Sequence, residues 1–337
     1  MRQALRNAAS LSILISILFL FSLASCTPRI DAQVATKSRV ELMPIAVDGK
    51  DPQRKQFGSL ILLSAFQLRS KDKRFGGLSG LVIGPDGKLY AVSDNGYWLS
   101  AKMVTDSSGV LVDLVDWQIA PMLTPAKTPV TGSLADAEAL ALASDGSFLV
   151  AFEGAHRIWR YDAPPRTFES TPVPMPLPSA MKRAPSNGGL EGLTSLPDGR
   201  LLALTEELAN PDGSFKGWLI DGVRFEELSY LPAKGFRVTD CAALKNGDVL
   251  VLERRYVPFG ILSTRLTLVD ATALHGGAKL TGKELLRLEQ PLAVENFEGI
   301  AVQQTAKGTV IYLVSDDNYS AFQQTLLIQF LLPSPEK

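Results

Sequence analysis

The chain has 337 residues, 46% hydrophobic and 20% charged, which supplies a sizeable core and excludes a disordered protein. Its 34 basic and 35 acidic side chains leave a net charge of −1, without the positive excess that a nucleic-acid partner requires. Two histidines, His156 and His275, and two cysteines, Cys26 and Cys241, disfavour zinc-finger, di-histidine zinc, haem and disulfide-scaffold chemistry.

The amino terminus reads as an address. Arg2 and Arg6 precede an apolar run, Leu11–Phe21, and small residues follow in Leu23-Ala24-Ser25-Cys26, the pattern of an export signal over 1–25. Leu-Ala-Ser-Cys also resembles a bacterial lipobox, in which Cys26 becomes the lipidated first residue. Ordinary cleavage near Ala24, leaving a free thiol, and a retained membrane helix are the alternatives. Each of these readings puts the domain outside the cytoplasm, in the periplasm at a membrane if Cys26 is anchored. Residues 26–56 show no sustained periodicity and are expected to be a flexible tether.

From 57 to 332 the chain repeats itself, leaving 333–337 as a tail. Five segments begin at Ser79-Gly80-Leu81, Glu138-Ala139-Leu140, Glu191-Gly192-Leu193, Asp240-Cys241-Ala242 and Glu298-Gly299-Ile300. Each continues to Asp-Gly, Asn-Gly or Lys-Gly and then to a second apolar run, the signature of a β-hairpin. The runs are apolar at nearly every position, as in strands covered on both faces. Further strands are expected at 98–104 with 110–119, 157–161 with the run before Pro172, 216–220 with 223–231, and 262–269 with 283–288. Four strands per repeat predict an all-β fold, a β-propeller of five four-stranded antiparallel blades, or six if 105–135 hides another. The last repeat lacks a fourth strand, and Ser59–Gln67 lacks a hairpin, so their pairing is expected to close the ring. The proline-rich segment 163–187 reads as an edge strand followed by a surface loop, or as a lid.

The hairpins localise the acids. Glu138 and Glu191 lie eight residues before their turn glycine, as does Ser79, whereas the spacing is seven for Asp240 and ten for Glu298. Asp94, Glu153, Glu206 and Asp316 follow the turns, and antiparallel pairing brings both sets to the same end of each blade. Propeller symmetry then gathers Glu138, Glu191, Asp240 and Glu298 around one mouth of the channel. Converging carboxylates raise one another's pKa unless a cation or proton compensates. Oxygen donors alone select a hard ion, and Ca2+ suits a roomy ring better than Mg2+. The candidate metal-ligand set is Glu138, Glu191, Asp240, Glu298, Asp94, Glu153, Glu206, Glu253 and Asp316; the alternative is that these acids cap backbone amides at strand ends. Arg254 stands in the fourth repeat where the others carry an acid, either neutralising its neighbours or clamping an anionic ligand. Arg255, Asn296, Asn95 and His156 are candidate substrate contacts near the same mouth, with a plain surface histidine as the alternative for His156. Cys241 reads as a small buried thiol.

Gly77-Leu78-Ser79-Gly80-Leu81, Ser93-Asp94-Asn95-Gly96, Asn187-Gly188-Gly189-Leu190-Glu191-Gly192-Leu193 and Glu295-Asn296-Phe297-Glu298-Gly299-Ile300 together resemble the phytase-like, "esterase-like activity of phytase" family of exported bacterial proteins. Glu253-Arg254-Arg255-Tyr256 and Ser315-Asp316-Asp317-Asn318 fit the same pattern, and the resemblance covers about 57–332. It implies a propeller with phosphoester-hydrolysing or esterase activity. In the cation-dependent phosphoesterase this suggests, Glu191, Glu298 and Arg254 are the catalytic candidates, and the substrate is a small anionic ester or phosphoester. A carboxylic ester or lactone presents a similar oxyanion to the same site. The alternative from another class is a non-catalytic, lipid-anchored propeller that binds a ligand or protein. A monomer is expected.

Overall fold

The computed structural model describes residues 35–257 and 262–334. Residues 1–25, read above as an export signal, and Cys26 lie outside the described residues.

Asp-Gly and Asn-Gly turns fold the first four repeats back on themselves, and Lys307-Gly308 folds the fifth. Gly87, Gly146, Gly199 and Gly247 hold φ between +76° and +93°, which side chains with a Cβ resist. The hairpins extend into five antiparallel meanders. Blade one is built from Leu78–Ile83, Lys88–Ser93, Tyr97–Thr105 and Leu111–Pro121. Blade two is Ala137–Leu142, Phe148–Phe152, Arg157–Tyr161 and Val173–Met175. Leu190–Ser195, Leu201–Ala209, Phe215–Asp221 and Arg224–Tyr230 form blade three, with Lys279–Leu280 added in parallel at its edge. Arg237–Ala243, Val249–Arg255, Ser263–Val269 and Lys283–Glu289 form blade four. Blade five takes Asn296–Thr305, Gly308–Asp316 and Thr325–Pro333 from the carboxy-terminal side and Leu60–Ser70 from the amino-terminal side.

That last pairing, Thr325–Leu331 against Ile61–Leu68, closes the ring as expected. Five innermost strands pack each against the next, and the last returns to the first. The buried side chains fall into five clusters, one between each pair of adjacent blades, which is the core distribution of a closed five-blade ring. Segment 105–135 contains the fourth strand of blade one and a 3-10 turn at Gly132–Leu134, so there is no sixth blade.

Two expectations need correction. The described part of the presumed tether is not free: Thr36–Lys37 pairs with the outer strand of blade one, and Val40–Pro44 with Leu60–Ser70 of blade five. Strands this short, lying on a sheet edge, carry too few residues to show a period. In blade two the fourth strand lies after Pro172, at Val173–Met175; Pro174, which has no amide to donate, sits on this outermost strand.

The inner strands approach closely because a small residue stands at the same place in several of them. A Cβ on Gly80 would lie 2.8 Å from both Cβ and the backbone nitrogen of Leu140. Gly80→Val is therefore expected to wedge blades one and two apart and cost about 1–3 kcal/mol in urea unfolding. An unchanged midpoint would contradict this packing.

Candidate functional site

One irregularity recurs in every blade. Where the two innermost strands pair, the register slips by one residue, between Leu78 and Gly80, Ala137 and Ala139, Leu190 and Gly192, Val238 and Asp240, and Phe297 and Gly299. The unpaired residues are Ser79, Glu138, Glu191, Thr239 and Glu298. Such bulges bend the strand and re-aim one side chain, and they concentrate beside active sites. The second strand then contributes Asp94, Glu153, Glu206, Arg254 and Asp316 at equivalent positions. Opposite them on the inner strand stand Gly77, Asp136, Gly189, Arg237 and Asn296.

This register separates the predicted residues. Glu138, Glu191, Glu298, Asp94, Glu153, Glu206 and Asp316 converge, joined by Asp136, so eight carboxylates lie within electrostatic reach of one another. Asp136, not singled out in the sequence, lies two residues before Glu138, as Asn296 lies two before Glu298.

Asp240 is not one of the group. Its bulge partner is Thr239, and the Asp240 carboxylate is fully buried, accepting from the backbone of Cys241 at 2.7 Å and of Ile300 at 2.8 Å. It ties blade four to blade five, the amide-capping role weighed as the alternative. Cys241 accordingly takes the place of Leu81, Leu140, Leu193 and Ile300 and is buried in the core between blades three and four. Glu253 also points elsewhere: it accepts from the Tyr230 hydroxyl and, at 2.6 Å, from Arg265. Arg255, one residue past the mouth position, lies over the Phe236 ring with Glu289 at 3.9 Å. Asn95 is exposed at the rim. His156 lies beside Gly189 rather than among the carboxylates, its Nε2 2.8 Å from the Pro185 carbonyl.

Arg254 is surrounded by acids. Its Nη1 donates to Glu298 at 2.6 Å and to Asn296, and its Nη2 to Glu206 at 3.2 Å. Burial opposes its charge, but Glu298, Glu206 and Glu191 outweigh that and raise its pKa. In this arrangement it neutralises the mouth. Asn296 supplements it, donating to Glu298 at 2.8 Å and Asp316 at 3.3 Å.

Arg254, with Arg237 and Arg157 acting on Glu206 and Asp136, does not balance eight carboxyls, and their pKa values record the excess. Burial pushes Glu298 up to about 8, against the pull of Arg254. Asp94 rises to about 7 through burial and the charges of Asp316, Asp136 and Asp317. Glu153 also reaches about 7 by burial, although the Gly189 and Gly188 amides both donate to it. Burial takes Asp316 to about 6. Glu138 and Glu191 are raised well above the ordinary range, by burial first, then by Glu298 and Glu138 respectively.

Where these oxygens crowd most, Asp136, Glu138 and Glu153 each place one within 4.8 Å of the others. Asp94 Oδ1 is buried without a hydrogen-bond partner, and Glu191 makes no hydrogen bond among the described residues. An all-oxygen donor set with orphaned, partly protonated carboxyls fits a hard cation.

The family model described as phytase-like, esterase-like activity of phytase, matches residues 73–319. No curated protein matches the chain. Among solved structures, PQQ-bound aldose sugar dehydrogenase from Streptomyces coelicolor is similar at TM-score 0.45 and 14% identity, covering 88% of this chain and 98% of its own. A gluconolactonase from Xanthomonas campestris aligns at TM-score 0.41 and 10% identity, covering 89% and 98%. Virginiamycin B lyase from Staphylococcus aureus aligns at 0.39 and 10%, covering 87% and 100%.

Proposed function

Because the chain belongs to the phytase-like family, we propose that its acidic mouth is the active site of a cation-dependent phosphoesterase. The observation that carries this reading is the convergence of Asp136, Glu138 and Glu153 beside an unpartnered Glu191. Asp136, Glu138 and Glu153 would hold the cation, with Ca2+ the best match to an irregular carboxylate ring. Bound there, it supplies Lewis-acid polarisation of a phosphoryl oxygen and an acidified water.

The chain's own groups do the rest. Glu191, whose pKa burial and then the Glu138 charge raise well above the ordinary range, would give its proton to the leaving oxygen. Glu206 and Glu298 hold Arg254 at the mouth, where its charge stabilises negative charge gathering on the phosphoryl group. A carboxylic ester would meet the same charges. On the sequence reading of residues 1–25 the enzyme acts outside the cytoplasm, and a lipid on Cys26 holds it at a membrane.

The test is turnover of p-nitrophenyl phosphate by the purified protein. Chelation with EGTA should abolish it, calcium should restore it, and Glu191→Gln should lower kcat about 100-fold while calcium still binds. Rates unaffected by both treatments would overturn the proposal. Calcium binding without hydrolysis of any phosphate or carboxyl ester would favour the non-catalytic propeller.

A further inference from the structure

Resting on the phosphoesterase reading, we propose that a cleft beside the mouth receives the alcohol part of the ester, and that this alcohol is compact and largely apolar rather than a multiply phosphorylated polyol. The cleft has a volume of about 520 Å3, within the range of small-molecule sites. Leu177, Pro178, Met181 and Ala184 give it apolar walls, His156 adds its ring, and Lys182 supplies a polar contact. The cleft is built by the proline-rich segment after blade two. That segment is neither a free loop nor a lid, because its 3-10 turn Ser179–Arg183 buries Ala180 and Met181 in the core between blades two and three. One wall is thereby fixed before a ligand arrives, which lowers the cost of ordering on binding.

The cleft is linked to the Glu153 carboxylate through Gly154, His156 and Ser186 of its lining. Gly154 donates its amide to the Ser186 carbonyl at 3.0 Å, and Gly188 donates to Glu153 at 2.7 Å, so the residues lining the cleft and the Glu153 carboxylate are tied to one stretch of backbone. A Cβ on Gly189 would stand 2.5 Å from His156 Nδ1 and 3.2 Å from Glu153 Oε1, so the imidazole and the carboxylate flank the same point. His156 Nδ1 is buried and has no hydrogen-bond partner, leaving a polar atom unsatisfied at the border between cleft and mouth.

Charge selects the substrate class. A polyphosphate brings many negative charges, yet Lys182 is the one ammonium lining the cleft. The carboxylates of the neighbouring mouth set up a field that repels a polyanion. An ester with one phosphoryl group and an apolar alcohol places its charge at the cation and its carbon skeleton against Leu177 and Met181.

The experiment uses 1-naphthol as a probe of the cleft, followed by calorimetry, with Ser179→Trp to narrow it. Ser179 lines the cleft and is exposed, so a larger side chain there leaves the core undisturbed. Wild type should bind 1-naphthol and the variant about tenfold more weakly, with no displacement by inositol hexakisphosphate. With calcium present, the preference for 1-naphthyl phosphate over methyl phosphate in kcat/KM should fall about tenfold in the variant. Absence of naphthol binding, equal binding by Ser179→Trp, or displacement by inositol hexakisphosphate would overturn the proposal. Naphthol binding that is lost in the variant, with no phosphate turnover in wild type, would uphold the cleft and overturn the phosphoesterase reading instead.

Discussion

Arg254→Ala is expected to lower the unfolding free energy by about 3 kcal/mol at pH 9 in chelator, where Glu298 is ionised. The guanidinium is the direct counter-ion of Glu206 and Glu298, whose side chains are each only 11% exposed. Removing one partner of a buried pair leaves the other charge desolvated and uncompensated, a loss of about 3–5 kcal/mol; the lower end applies because Arg254 itself is 25% exposed. The loss should shrink at pH 5, where Glu298, raised to about 8, is protonated, and should shrink again when calcium is added. Urea denaturation of wild type and variant under these three conditions measures it. A loss below about 0.5 kcal/mol at pH 9 would mean that Arg254 is a surface ion pair.

The second large effect is in the pH dependence of stability. Asp94 and Glu153 at about 7, Asp316 at about 6 and Glu298 at about 8 all titrate above the ordinary carboxyl values of the unfolded chain. Below about pH 4 both states are protonated and these groups are neutral in effect. As pH rises from there toward 8 the unfolded chain releases its protons first, so the folded state holds more protons and loses stability across that window. Surface acids such as Asp72, lowered to about 2 by its hydrogen bond from Arg74, act the opposite way, but below pH 4 and outside the window. In chelator the melting temperature should therefore fall between pH 5 and pH 8. Calcium displaces the protons, so its stabilisation should be greatest at the alkaline end, reaching about 2.7 kcal/mol at a hundredfold excess over Kd. A melting temperature that climbs toward pH 8 in chelator, or a calcium effect larger at pH 5, would contradict the crowded mouth.

Much of this arrangement is legible in the residues. The turn glycines and the small residue in the inner strand recur because each hairpin needs a positive φ and each inner strand must approach its neighbour, so the repeats announce the blades. Closure by Leu60–Ser70 follows from a last repeat one strand short. Glu138, Glu191 and Glu298 are found because the same bulge re-aims each of them. The bulge also explains the error at Asp240. Its spacing of seven to Gly247 is one short of that of Ser79, Glu138 and Glu191, and Thr239, at eight, is the true equivalent. Asp240 is free to bond the Ile300 amide because it stands where the other blades have Gly or Ala. Glu253 and Arg254 differ by one residue and face opposite ways, which strand alternation states once the register is known. What composition could not reveal is the set of edge strands before residue 57, too short for a period. Nor could it reveal the cleft at His156, built by a 3-10 turn in a segment without repeats.

The convergence of carboxylates on a cation is tested most directly by calorimetric titration of calcium into wild type and Asp136→Asn/Glu138→Gln at pH 7.5 in two buffers of different ionisation enthalpy. Wild type should bind calcium stoichiometrically and release protons, and the double variant should bind at least about tenfold more weakly with less proton release. No calcium binding by wild type, or equal binding and proton release by both proteins, would contradict a cation site at the propeller mouth.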